Sequence, residues 1–276
     1  MTTTVPTPFG HALRRWRTAR RMSQLALATR AETPSRHVSF LETGRARPSS
    51  AMVLRLADAL ELPLHERNGL LTAAGFPPAF AARTLDDEAL APVRFVIARL
   101  LEAHAPYPAI VLDRWYDILD ANPAGRLMFL GGAPLDPDDP PNLVDLILGP
   151  FRDRVLNWHE LVRDGLARLR REAASALDDA RLHALLDRVE AAARPLSAPI
   201  DDAPPSPVLL TRIAHEGRVL TTLSTLVHFG GSRDVTVDGL HLELVYPADE
   251  HTDRVLRALG VAARPPAAVV KRAVRG

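Results

Sequence analysis

Arginine side chains able to pair with a nucleic acid lie close together early in the sequence, at Arg36, Arg45 and Arg47. A guanidinium group can form two parallel hydrogen bonds with guanine O6 and N7, and it also binds phosphate oxygens. Gln24 carries an amide that can donate to a phosphate. These residue types are able to recognise a base edge, as Arg36 could, or to bind phosphates, as Gln24, Arg45 and Arg47 could, once helices place them against a nucleic acid.

The distribution of charge indicates a polyanionic partner for the same part of the chain. The 276 residues carry a formal net charge of only +1. Residues 1–80 contain 11 Arg against five acidic residues, a net charge of +6, whereas residues 81–276 contain 23 basic and 28 acidic residues, a net charge of −5. A basic region followed by an acidic one suggests that the first meets a polyanion and the second does not.

Apolar periodicity predicts five short helices between residues 9 and 75. Ser23 is expected to cap the second helix, and Thr33 is expected to cap the third, over residues 34–42. A fourth helix opens around Ser49, and a fifth follows it. The basic region is therefore predicted to be all-α.

The second and third helices, joined through Ala31 and Glu32, have the lengths and the turn of a helix-turn-helix. The second helix of such a pair fits the B-DNA major groove, which is about 12 Å wide. Val38 and Leu41 are expected to face the core. The start and outer side of the third helix hold the residues expected to reach bases, which are Ser35, Arg36, His37, Ser39 and Phe40.

Roughly residues 9–76 resemble the lambda-repressor/Cro-type helix-turn-helix of the xenobiotic-response-element family of bacterial regulators. The resemblance implies binding to a double-stranded DNA operator. Because one short recognition helix reads few bases, we expect a homodimer on an inverted repeat. The family usually has glycine at the turn where this chain has Glu32, so a left-handed backbone would be strained there. The resemblance rests on Ser23, Gln24, Leu27, Ala28, Val38, Ser39, Leu41 to Arg45 and Pro48, followed by Leu56 to Leu60.

A helical protein-interaction module with the same packing is the alternative interpretation of the first region. Such a module needs neither the excess of basic residues nor Arg36 at the start of the third helix.

The period of the apolar pattern changes in the second region, which predicts an α+β domain. Helical segments are expected at residues 95–101, after Asn122 and through residues 143–193, and loops in the proline-rich stretches 131–141 and 195–207. The expected strands are Ala109–Leu112, Trp115–Leu119, Val208–Ile213, Arg218–Phe229 and Val235–Tyr246. We divide the chain into a DNA-binding domain at 1–80, a linker at 81–92, the α+β domain at 93–262 and a tail at 263–276.

Residues 93–259 are similar to the ligand-binding domain of MmyB-like regulators, which is PAS-like and accompanies the same helix-turn-helix. The resemblance implies an apolar pocket for a fatty-acid-like molecule, between the helices and the final antiparallel sheet. The residues that carry it are Tyr107-Pro108, Leu112 to Trp115, Leu119 to Ala124, Asn157-Trp158, Ala167 to Arg170, Phe229 to Thr236, Glu243, Tyr246 to Asp249 and Thr252.

The candidate ligand-binding residues combine aromatic walls with two polar anchors. The aromatic side chains could line a pocket, and they fit a plain hydrophobic core equally well. The candidates are Trp115, Phe129, Trp158 and Phe229 as walls, with Arg126 and His228 as anchors, and Phe151 is a further aromatic residue that could line the pocket.

Catalytic and metal-binding fragments in the second region are incomplete. His159 opens an H-E-x-x-H pattern, but Arg163 stands where the second zinc ligand must be. His241-x-Glu243 resembles part of a deaminase motif, yet the chain has no cysteine to complete that zinc site. Asp234 and Asp249 fit turns or caps better than catalysis. No enzyme activity, metal or cofactor is expected, apart from a bound apolar ligand such as a fatty acid.

These patterns together predict a cytoplasmic, homodimeric transcription regulator that senses a small apolar ligand. The sequence shows no membrane-spanning run and no signal-peptide pattern, so no membrane partner is expected. Two alternatives stay open: a helix-turn-helix fused to a ligand-free dimerisation domain, or one fused to an unrecognised enzyme domain.

Overall fold

The computed structural model describes residues 7–196 and 207–263. These residues form two compact units, and neither unit is one continuous stretch of sequence. Within the described residues, the first unit comprises 7–87, 167–186 and 229–239, and the second comprises 88–166, 187–196, 207–228 and 240–263.

The predicted all-α architecture of the first region is confirmed. Residues 8–73 form five helices, which bury their apolar faces against one another. They are α1 (Pro8–Ala19), α2 (Gln24–Arg30), α3 (Ser35–Glu42), α4 (Ser50–Ala59) and α5 (Leu64–Ala73).

Serine caps begin two of these helices, and the cap at Ser23 is the one that the sequence predicts. The hydroxyls of Ser23 and Ser49 accept hydrogen bonds from the backbone amide three residues later, at 3.0 and 3.2 Å. The third helix differs from the prediction, because it begins at Ser35 and has Pro34 in the cap position, with no side-chain cap. The expected cap at Thr33 is wrong because Pro34 itself takes the extended cap backbone, which leaves Thr33 one residue too early.

Each helix in residues 8–73 ends in the same Schellman-type turn, with a positive φ and an amide that donates five residues back. Glycine takes the positive φ at Gly44 and Gly75, whereas Arg21, Glu32 and Glu61 take it elsewhere, with φ of +54°, +48° and +53°. A left-handed backbone costs a non-glycine residue about 1–2 kcal/mol. The strain expected at Glu32 is therefore present, and the turn geometry is nevertheless kept.

A close approach of α1 to α3 fixes the centre of the first unit. Phe9, Val38 and Leu41 are buried in its core. A Cβ atom added at Gly10 would lie 2.7 Å from the carbonyl oxygens of both Leu41 and Glu42. Only glycine allows this contact without a shift of one helix.

Later segments of the chain complete the first unit. Leu177 packs against the core of the five-helix region. Arg20 Nη1 donates to the Ser175 hydroxyl at 3.2 Å, and the Leu64 amide donates to an Asp238 carboxylate oxygen at 3.1 Å. The unit that holds α3 therefore depends on residues far along the sequence.

The second region has the α+β composition that the sequence predicts. Its five described strands form one antiparallel sheet in the order β2-β1-β5-β4-β3. The strands are β1 (Ala109–Leu112), β2 (Ile118–Ala121), β3 (Thr211–His215), β4 (Arg218–His228) and β5 (His241–Pro247). The helices are α6 (Ala91–His104), α7 (Pro123–Leu130), α8 (Leu143–Leu148), α9 (Trp158–Ala173), α10 (Ala180–Ala193), α11 (Val235–Asp238) and α12 (Glu250–Ala262), with 3-10 turns at Glu88–Leu90 and Arg194–Leu196.

The predicted β1–β2 hairpin forms, but its second strand starts later than expected. The Asp113 carboxylate accepts hydrogen bonds from the amides of Trp115 and Asp117, at 2.8 and 3.0 Å. Tyr116 adopts a φ of +68° in the same turn. This Asx-type turn occupies the residues expected to open the strand, so β2 begins at Ile118.

The strand predicted over residues 235–246 is wrong in its first half. The Asp234 side chain accepts from the Thr236 amide at 2.9 Å and caps α11, so only β5 is extended. Asp249 caps α12, a helix absent from the prediction, by accepting from the Thr252 amide at 2.7 Å. The expected capping roles of Asp234 and Asp249 are confirmed.

Two further predictions concern the ends of described segments. The strand expected at 208–213 is shifted to Thr211–His215. Most of the expected loop at 195–207 and of the expected tail at 263–276 lies outside the described residues. None of the described helices combines the length and the apolar character needed to span a lipid bilayer.

Candidate functional site

Helix α3 divides cleanly into an inner and an outer face. Val38 and Leu41 are fully buried in the core. Ser35 and Arg36 are exposed at its start. The remaining predicted base-reading residues are partly exposed, and they are His37, Ser39 and Phe40.

The Arg36 guanidinium lies along the outer face of α3. Its central carbon is 4.9 Å from the centroid of the Phe40 ring, within the range of a cation–π contact. This contact orders the one cation on α3 that can bind a base edge bidentately.

Two more cations follow the end of α3. Gly44, with a φ of +76°, turns the chain, and the Arg45 amide donates to the Phe40 carbonyl at 2.8 Å. Arg45 and Arg47 are both exposed. The turn therefore presents two guanidinium groups directly after α3.

A buried carboxylate ties α1, α2 and α3 together. Glu42, which is 4% exposed, accepts hydrogen bonds from Arg17 Nε at 2.6 Å and Nη2 at 3.0 Å, and from Gln24 Nε2 at 2.8 Å. Arg17 also donates to the Met22 carbonyl at 2.8 Å. The hydrogen bond with Glu42 raises the pKa of Arg17 above its ordinary value.

This cluster places Gln24 differently from the other predicted contact residues. Its side-chain amide is directed to Glu42, and it could donate to a phosphate only by leaving that carboxylate. Sequence reasoning missed the pairing of Arg17 with Glu42, because the two residues are 25 positions apart and neither breaks the local helical pattern.

A cavity of about 60 Å³ lies in the second unit, between one face of the sheet and helices α7 to α9. Most of its wall is apolar, and its polar side chains are three hydroxyls and one carboxylate. The lining residues are Met128, Phe129, Leu143, Ile147, Phe151, Val155, Leu161, Thr211, Ile213, Thr222, Ser224, Glu243 and Val245.

Of the six candidate ligand-binding residues, Phe129 lines this cavity, where its ring lies 5.7 Å from that of Phe151. Trp158 is buried at the start of α9, and its indole nitrogen donates to the Ile147 carbonyl at 2.6 Å. Trp158 packs beside the wall but does not line it.

The other candidates lie elsewhere. Trp115 is in the β1–β2 turn, where the Arg114 guanidinium lies 4.2 Å from its ring centroid. Arg126 is a partly exposed residue of α7, and His228 is exposed at the end of β4. Phe229 belongs to the first unit. The structure does not gather the proposed polar anchors at the cavity.

Glu243 is the ionisable residue of the cavity wall, and it was absent from the six candidate ligand-binding residues. The alternation of Glu243 and Val245 along β5 places both on the cavity face. That alternation could have identified Glu243 from the sequence, because a carboxylate two positions from a buried valine on a strand is unusual.

The histidine and carboxylate fragments of the second region do not assemble into a metal site. Across the part of the chain that the structure describes, no three His, Cys, Asp or Glu side chains converge as metal ligands.

Comparison with protein families gives one match in each of the two regions. Residues 8–70 match a helix-turn-helix domain, and residues 93–259 match the MmyB-like transcription regulator ligand binding domain. No curated protein matches the chain. The second match covers more than half of the 276 residues, and the first contains α3 and the cations that follow it. The chain therefore belongs to the family of transcription regulators that carry a MmyB-like ligand-binding domain.

Proposed function

We propose that this regulator binds duplex DNA as a homodimer, placing α3 of each copy in the major groove of one half of an inverted repeat. The observation that carries the proposal is the division of α3 into a buried face and an outer face, with Arg36 ordered against Phe40. With eight residues, α3 reads few bases alone. Half-sites centred about 34 Å apart let two copies read one site together.

The proposed contacts separate into base recognition and phosphate binding. Ser35, Arg36, His37, Ser39 and Phe40 face base edges, and Arg36 pairs with guanine O6 and N7. The phosphate contacts are Arg45, Arg47 and, when its amide leaves Glu42, Gln24.

Selection of binding sites from random duplexes tests this part of the proposal. Arg36→Ala should cost about 1–3 kcal/mol and relax one position in each half-site. Arg45→Ala should weaken binding to all sequences evenly and lower the salt slope by about 1. Arg99→Ala, an exposed change on α6, is the matched control and should have no effect. Selected sites without inverted symmetry would contradict the dimer.

We infer further that the second region binds a small apolar molecule, with a fatty-acid-like compound as the class that the family resemblance implies. The cavity's 60 Å³ is well below the roughly 300–1,000 Å³ of typical ligand pockets, so a bound molecule must displace wall side chains. One of these is Leu161 on α9.

Helix α9 offers a route by which occupancy of the cavity affects DNA binding. Its residues 158–166 belong to the second unit and its residues 167–173 to the first, which contains α3. A ligand alters DNA affinity only if it binds two arrangements of the chain unequally, and typical coupling is about 1–3 kcal/mol.

Titration of delipidated protein with fatty acids of 12 to 18 carbons, with and without operator DNA, tests the ligand proposal. Operator DNA should change fatty-acid affinity by the same factor by which the fatty acid changes operator affinity. Absence of binding below about 100 μM, a free energy of roughly −5.5 kcal/mol, would exclude this ligand class.

The small cavity also favours a second candidate function, a dimerisation domain that binds no ligand. Native mass spectrometry of the purified full chain separates the two. A dimer that retains a small molecule supports ligand binding, and a dimer of bare chain mass with no response to titration supports dimerisation alone.

A further inference from the structure

We propose that an open edge of strand β4, at residues 223–228, pairs antiparallel with the same edge of a second copy of this chain and joins the two sheets. This inference rests on the proposed homodimer and names the surface that holds it in the second unit. It is based on the difference in length between β4 and its neighbour β3.

Strand β3 covers only the first part of β4. The two strands pair over residues 218–222 of β4. On its other side, β4 stays paired with β5 as far as His228. Within residues 7–196 and 207–263, no further strand pairs with the second part of β4. Residues 223–228 therefore form an edge that has a neighbouring strand on one side only.

The hydrogen-bonding pattern of the sheet shows which backbone groups of this edge point outwards. The Ala248 amide, directly after β5, donates to the Thr221 carbonyl at 2.8 Å. In an antiparallel sheet, successive residues of a strand direct their backbone groups alternately to the two sides. The odd-numbered residues of β4 therefore bond to β5, and the amides and carbonyls of Ser224, Leu226 and His228 point away from it.

The side chains of this edge do not prevent pairing with another strand. Natural sheets protect open edges with lysine, proline or inward-pointing charged residues. Residues 223–228 include no Asp, Glu, Lys or Arg and no Pro. Leu226 is 37% exposed, and Ser224, Thr225 and His228 are exposed as well. The edge is therefore accessible, and it lacks the side chains that usually block such contacts.

A second copy fits this edge because the edge is complementary to itself. With a two-fold axis at Leu226, this residue lies opposite its own counterpart, and Ser224 lies opposite the partner's His228. The axis relates three such pairs, and each exchanges two backbone hydrogen bonds, which gives about six in all. The two Leu226 side chains meet at the axis, and Thr225 meets the partner's Val227, a favourable cross-strand pair of β-branched residues.

The two ends of the edge select this register. An axis at Ser224 would bring the partner's Leu226 to Thr222, whose outer side β3 already occupies. An axis at His228 would require an extended chain through Gly231, which instead turns with a φ of +70°. An axis at Leu226 uses all three outward-pointing residues and meets neither obstacle.

A single cysteine at the axis tests the register, because the chain has no cysteine of its own. The Cα atoms of a directly opposed, hydrogen-bonded pair lie about 5.5 Å apart, a distance that a disulfide can span. After oxidation of the full chain with diamide, Leu226→Cys should run mainly as a covalent dimer on a non-reducing gel. The matched control is Val219→Cys, at a 44% exposed position on the part of β4 that β3 covers. It lies about 24 Å along the strand from the axis and should run as a monomer.

A lysine at the same position tests the edge without a cross-link. Leu226→Lys places two like charges opposite each other at the axis and should raise the dissociation constant of the dimer at least about tenfold. Val219→Lys makes a similar exposed change on β4 and should leave the constant unaltered. Sedimentation velocity over a concentration series measures both, and circular dichroism should show both variants folded.

The possible outcomes separate this inference from the proposed function. A dimer that neither cross-links through Leu226→Cys nor weakens in Leu226→Lys would overturn the β4 interface and leave the homodimer intact. Equal cross-linking of the two cysteine variants would also overturn the interface, because it would reflect random collisions. A wild-type chain that stays monomeric would overturn it too. If the selected DNA sites then also lack inverted symmetry, the proposed homodimer fails with it.

Discussion

Two glutamates, one in each unit, meet apolar surroundings in different ways. Glu42 is buried in the first unit, where Arg17 and Gln24 donate three hydrogen bonds to its oxygens. Glu243 is in a cavity wall of the second unit, opposite Ile110 and Leu226. A carboxylate whose partners come from its own chain fixes helix positions. One whose cross-strand neighbours are aliphatic is not tied to other elements through those neighbours, so it contributes less to the fold.

Removal of each carboxylate should separate these roles most strongly. Glu42→Ala leaves the Arg17 guanidinium, which is 14% exposed, without its partner, and should lower the free energy of unfolding by about 3–5 kcal/mol. Glu243→Ala should change it by less than about 1 kcal/mol. Urea unfolding followed by circular dichroism measures both. Equal losses would show that the two glutamates do not differ in this way.

The tight packing around Glu42 can be tested through its backbone contact with α1. Gly10→Ala drives a Cβ atom against the Leu41 and Glu42 carbonyls and should cost about 1–3 kcal/mol. A Cβ atom added at Gly165 on α9 would have no other atom within 4 Å. Gly165→Ala should therefore stabilise the protein by up to about 1 kcal/mol. Thermal unfolding of both variants gives the comparison. A neutral Gly10→Ala would mean that α1 can move away from α3.

A third glutamate, Glu66, is buried, but its carboxylate has weaker polar partners than that of Glu42. It is 5% exposed, and burial raises the pKa of its carboxyl above the usual 4.5. The folded state favours the protonated form of Glu66. The contribution of Glu66 to the free energy of unfolding is therefore fully present at low pH and declines as pH rises through the raised pKa. The stability advantage of Glu66→Gln over wild type should therefore grow from pH 4.5 towards pH 8, as measured by urea unfolding. A pH-independent difference would contradict this linkage.

The smallest expected change concerns the turn before α3. Glu32→Gly removes the strain of a positive φ but adds freedom to the unfolded chain, for a net gain of about 1 kcal/mol or less. Glu32→Gln keeps the strain and removes the charge, so it should leave stability unchanged and strengthen DNA binding slightly at low salt. Melting temperatures and filter binding distinguish strain from charge. Equal melting temperatures for the two variants would show that relief of strain in Glu32→Gly does not outweigh the added freedom of the unfolded chain.

The sequence predicts features set by neighbours along the chain better than features set by distant residues. Ser23 acts as the expected cap, because a cap depends on an amide only three residues away. The strand expected over residues 235–246 fails because Asp234 caps a short helix within a β-branched stretch that favours a strand by composition. Local capping overrides strand propensity at that point.

The same distinction applies to the sites. The outer face of α3 follows from helical periodicity, so its exposed residues could be chosen in advance. The cavity is assembled from three helices and three strands, so aromatic content selected only Phe129 and Phe151 among its wall residues. Glu243 becomes prominent only when the register with Ile110 and Leu226 is known.

The division of the first unit among separate stretches of sequence has a consequence for the order of events during synthesis. The five helices of residues 8–73 leave the ribosome first, whereas Ser175 and Leu177, which pack against them, are about 100 residues behind. At roughly 5–20 residues per second, this delay lasts about 5–20 s. Throughout that interval the nascent five-helix bundle lacks the cover that Leu177 later provides, so these helices are exposed to solvent on that side before the unit around them is complete.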